Sequence, residues 1–67
     1  MSLRIIRNEG ETWRECAERY AKPWGLQVEV LAEFDADVAK GVPEDRAALW
    51  SCIEWDVADL KPAGGAA

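Results

Sequence analysis

Carboxylates dominate the chemistry open to this sequence. It holds 13 Asp and Glu residues against 8 Lys and Arg, and no histidine. Carboxylates stand close together in the chain, as in the pairs Asp35 with Asp37 and Glu54 with Asp56. Carboxylates that converge on one point can split their pKa values and serve as general acid and general base. Residues two apart on a helix diverge instead, so both pairs read as solvated surface. Without histidine the commonest general base and metal ligand are missing, and no Ser-His-Asp or Cys-His arrangement can be assembled. No phosphate loop, dinucleotide fingerprint or calcium loop occurs. Cys16 and Cys52 lie far apart and form no CxxC motif, which argues against a zinc ribbon or a dithiol redox centre. The sequence therefore predicts a protein that is not an enzyme and uses no metal or cofactor.

Binding is the remaining class of function, and two residue groups could carry it. The first is aromatic and basic. Trp24 stands between Pro23 and Gly25, close to Arg19 and Lys22. An indole face can stack on a base while a neighbouring cation meets a phosphate. Trp24, Arg14, Arg19 and Arg46 are thus candidates for a nucleotide site. The competing reading makes Trp24 a packed corner whose ring covers the ends of two helices. The second group is acidic. The chain carries a net charge of −5, unevenly spread: residues 1–22 sum to +1 and residues 23–67 to −6. Such a balance repels nucleic-acid phosphates and suits a basic partner surface. Glu29, Glu33, Asp37, Glu54, Asp56 and Asp59 are the candidate contacts. Trp55, between Glu54 and Asp56, joins them because tryptophan is enriched where proteins meet. The plainer reading is a soluble surface with charge away from zero.

These residues must be positioned by a small fold. A chain of 67 residues makes one domain with a marginal core. Four tryptophans, one tyrosine and one phenylalanine are the large side chains available to fill it. The expected class is all-α: a compact three-helix domain with an extended arm at 1–8 and a flexible tail at 61–67. Helix 1 is expected over 9–22, opened by Asn8 with Glu11 or by Thr12 with Glu15, both at capping-box spacing. Trp13, Cys16, Ala17 and Tyr20 recur at helical spacing on its apolar side. Pro23 ends it at Lys22, and Gly25 allows a sharp turn. Residues 26–38 fit two patterns, strand-like alternation and a helical stripe of Leu26, Val30, Leu31, Phe34 and Val38. We read helix over 26–40, because Glu33, Asp35, Ala36 and Asp37 form strands poorly and a thirteen-residue strand would be unusually long. Gly41 supplies its stop. Pro43 opens helix 3 over 43–60, with Leu49, Trp50, Ile53, Val57 and Leu60 as one stripe and Ala48, Cys52 and Trp55 largely off it. Trp13 and Trp50, on the apolar stripes, are expected in the core. A helix apolar around so much of its girth is either central or covered by a second molecule, so a homodimer or higher oligomer is expected.

The opening "MSLRIIRNEGE" turns charged at once, unlike a signal peptide, and no apolar run approaches the ~18–20 residues that span a bilayer. The expectation is a cytoplasmic protein that meets neither membrane nor nucleic acid directly, with two reduced thiols, although a Cys16–Cys52 bridge stays open.

The runs "TWRECAERYAKPWGL" and "GVPEDRAALWSCIEWDV" resemble small acidic helical proteins encoded by phages and prophages. The resemblance spans 12–60 and rests on the Tyr-x-x-Pro-Trp-Gly-Leu corner and the closing Glu-Trp-Asp. It is to a kind of protein and carries over no functional residue. It implies non-catalytic work in a host cytoplasm, of which anti-CRISPR and other anti-defence proteins are examples. Three functions follow as expectations. The chain could inhibit or redirect a host protein complex through its acidic face. It could be an oligomeric sponge that sequesters a nucleotide immune signal. It could be a small structural or assembly subunit.

Overall fold

Of the two helix starts that the sequence offers, the later one is used. In a computed structural model, which describes residues 2–61, Thr12 is the N-cap of α1 (Trp13–Ala21). Its hydroxyl accepts from the Glu15 N–H at 3.0 Å, and the Glu15 carboxylate accepts from the Thr12 N–H at 2.9 Å. The box therefore satisfies two of the four N–H groups that a helix start leaves open. Asn8 and Glu11 form a separate turn upstream, where Glu11 accepts from the Asn8 N–H at 3.0 Å. α1 thus begins at Trp13, not at residue 9.

Each helix then ends in the same way. After α1 a short 3-10 turn, Lys22–Trp24, leads to Gly25 at φ 67°. The Leu26 N–H reaches back to the Ala21 carbonyl at 3.2 Å. α2 (Gln27–Ala39) confirms helix over strand for this segment, and Gly41 follows at φ 95°. Here the Val42 N–H bonds the Asp37 carbonyl at 3.1 Å. α3 (Glu44–Glu54) closes with the Val57 N–H on the Cys52 carbonyl at 2.8 Å, and Asp56 takes the left-handed position at φ 58°. Each closure pairs a left-handed residue with an apolar one, as in a Schellman motif. The apolar partners are Leu26 and Val42, both half-buried, and Val57, which is buried. α3 is therefore shorter than the 43–60 expected.

Residues beyond α3 turn back as strand β2 (Asp59–Lys61), which pairs antiparallel with β1 (Ser2–Arg4), Leu3 opposite Leu60. The arm is thus partly paired, and Lys61 belongs to a strand; the rest of the expected tail, 62–67, lies outside the described residues. The fold remains a three-helix domain, each helix packing on the other two.

The core is built from small residues. Cys16, Ala17, Ala21, Val30, Ala47, Ala48, Ser51 and Cys52 are fully buried, and Phe34 and Val57 nearly so. Small side chains let helix backbones approach closely, and Ser51 satisfies its hydroxyl on the Ala48 carbonyl at 3.0 Å. The two cysteines are free thiols. Burial raises the pKa of both, that of Cys52 to about 12, which leaves them inert at neutral pH.

The tryptophans depart from expectation. Trp13 is half-buried, but Trp50 is 49% exposed. The inward face of α3 is Ala47, Ala48, Ser51 and Cys52; the stripe of Leu49, Trp50 and Ile53 lies on the other side. Both sets recur at helical spacing. Close helix packing selects the smaller set, because a tryptophan between the backbones would hold them apart.

Candidate functional site

The three arginines proposed for a nucleotide site are not brought together as free cations. Arg14 reaches from α1 to α2 and holds Asp35 through two hydrogen bonds, of 2.9 and 3.0 Å. Arg19 holds Glu11 from its Nε at 2.9 Å and donates to the Ile6 carbonyl at 2.6 Å. Each guanidinium is raised further above its usual pKa, first by the hydrogen bond to its carboxylate. Arg46 is exposed on α3, with no ion pair among the described residues. Trp24 is 68% exposed, so its ring leaves the helix ends largely uncovered. An open groove of about 500 Å³ does lie nearby, lined by Glu15, Glu18, Arg19, Lys22 and Gln27. Two carboxylates share its wall, and Arg19 is already engaged, which leaves Lys22 as the available cation for a phosphate.

Tyr20 and Arg19 instead fasten the arm. The Ile6 N–H donates to the Tyr20 hydroxyl at 2.9 Å, and that hydroxyl donates to Asp59 at 2.7 Å. Asp59 is thereby a structural acceptor that joins the segment after α3 to α1. Burial, then the bond to Asp59, raises the Tyr20 pKa and keeps the hydroxyl protonated. Neither Tyr20 nor this use of Asp59 was legible as a pair, since they stand 39 residues apart.

The Arg19–Glu11 contact makes stability depend on pH. Hydrogen bonds from Arg19, then from the Asn8 N–H, lower the Glu11 pKa from about 4.5 to about 2. Arg14 lowers Asp35 in the same direction. A carboxyl with a depressed folded pKa binds fewer protons folded than unfolded, so its contribution is complete above the ordinary value. It is lost as pH falls from about 4.5 toward about 2. Arg19→Gln removes the contact and should shallow this acid limb, while Lys22→Gln should not. Urea midpoints followed from neutral pH into acid check this; parallel limbs for the wild type and Arg19→Gln would contradict it.

The acidic candidates are arranged more coherently. Glu29, Glu33 and Asp37 recur every fourth residue and share one side of α2. None has an ion-pair partner among the described residues. Glu54 and Asp56 are exposed at the end of α3, and Trp55 between them is 40% exposed. Trp50, expected in the core, stands instead on the outward stripe of α3 with Leu49 and Ile53. Their signal lay in the competing stripe of small residues on the same helix.

No group of three or more Cys, Asp or Glu residues is placed to hold a metal ion among the described residues, and none of their helices is long and apolar enough to cross a membrane. No protein-family model, curated protein or solved structure matches the chain.

Proposed function

We propose that this chain is a non-catalytic binding protein that lays an acidic helical face on a basic surface of a host protein complex and so inhibits or redirects it, as phage anti-defence proteins do. The observation that carries this reading is the row Glu29, Glu33 and Asp37 on α2, unpaired among the described residues. Like charges four apart on a helix cost a few tenths of a kcal/mol each, and no ion pair among the described residues offsets that cost. Arg14 and Arg19, which could have neutralised the surface, are spent on Asp35 and Glu11. Complementary charge then speeds encounter and selects the partner. Glu54, Trp55 and Asp56, exposed at the end of α3, are further candidate contacts; Asp59, held by Tyr20, contributes less.

Native mass spectrometry of the protein purified from a host lysate tests the reading. A host protein should co-purify with the wild type and be lost from Glu29→Gln/Glu33→Gln/Asp37→Asn, with an unchanged circular dichroism spectrum. Equal retention by that variant would overturn it. A small bound ligand in place of a protein would favour the nucleotide sponge.

A further inference from the structure

The outward face of α3 is apolar at its centre, with Arg46, beside Asp45, toward its start and Glu54 at its end. Arg46, Trp50 and Glu54 recur every fourth residue and form one row along the helix. Leu49 and Ile53 form the adjacent row. Trp50 is 49% exposed and Ile53 37%, while Leu49 is half-buried. Arg46 and Glu54 are exposed and lie about 6 Å along the axis on either side of Trp50, at the 1.5 Å rise of a helix. We propose that this face is a twofold self-association surface, on which a second copy of this chain packs its own α3 antiparallel across Trp50.

The charge order selects this occupant. A twofold interface must be complementary to itself. With the axis at Trp50, Arg46 of one copy lies level with Glu54 of the other, and the pairing occurs twice. A parallel arrangement would set Arg46 against Arg46 and Glu54 against Glu54. The antiparallel arrangement also opposes the two helix dipoles favourably. Large apolar side chains lie at the centre and charges at the rim, the usual anatomy of an interface. The apolar centre is small beside the roughly 800 Å² per partner of a standard interface, so the dimer is a reversible one, with a Kd in about the micromolar range. The proposal does not depend on the acidic face of α2; it takes Glu54 out of the further candidate contacts and leaves Glu29, Glu33 and Asp37 outside the contact row.

Analytical ultracentrifugation over a concentration series tests it. The wild type should show a monomer–dimer equilibrium. Arg46→Glu and Glu54→Arg should each weaken association about tenfold or more, because each replaces two attractions by two repulsions. Mixing these two variants should restore association as a heterodimer, since every crossing pair is again opposite in sign. Trp50→Ser should abolish the dimer while keeping the helical spectrum. A wild type that stays monomeric to millimolar concentration overturns the proposal. So does a dimer that survives Trp50→Ser, or a mixture of folded single variants that fails to associate.

Discussion

Phe34→Ala should lose about 3–5 kcal/mol of unfolding free energy, the range for truncating a buried aromatic ring. A chain of this length holds about 3–10 kcal/mol in all, so the variant should be largely unfolded near body temperature. Phe34 is 3% exposed and shares its cluster with alanines, Val30, Cys52 and Val57. Among the described residues it is the one aromatic of the buried core, so truncation opens a ring-sized cavity there. Trp50→Ala removes a larger ring from a half-exposed place and should cost the monomer much less. Urea denaturation followed by far-ultraviolet circular dichroism measures both. A Phe34→Ala transition within about 1 kcal/mol of the wild type would show that the core does not hinge on this ring.

The corners show what could be read from the chain and what could not. Gly25 and Gly41 mark two of them because glycine enters the left-handed region freely, with Gly25 expected as a sharp turn and Gly41 as a helix stop. Asp56 makes the third closure with a side chain that only tolerates that conformation, so sequence alone extends α3 past it to residue 60. The Thr12–Glu15 box was legible because both halves are local. The β1–β2 pair and the bonds of Tyr20 to Ile6 and Asp59 were not, because they join residues that only the finished fold brings together. The candidate surface divides likewise. The row Glu29, Glu33 and Asp37 follows from spacing once α2 is a helix. The commitment of Arg14 to Asp35 and of Arg19 to Glu11 does not, and it removes two of the three arginines offered for a nucleotide.

The inward face of α3 should tolerate enlargement worse than its outward face tolerates truncation. Ala48→Leu should cost about 1–3 kcal/mol, and more if the helices cannot separate. Ala48 is fully buried and belongs to one cluster with Ala17 and Ala21 of α1 and Ala47 of α3. Alanine and leucine differ little in helix propensity, so the loss reports packing and not the helix itself. Ala36→Leu on α2, where the alanine is exposed, is the control and should stay within about 0.5 kcal/mol of the wild type. Thermal and urea unfolding of the pair decide the point; equal stability for the two would mean that α3 does not pack through its small residues. That outcome would also remove the reason why Trp50 and Ile53 face outward. A single helix here divides its apolar residues by size. The small ones set how closely the domain closes, and the large ones remain where another molecule can reach them.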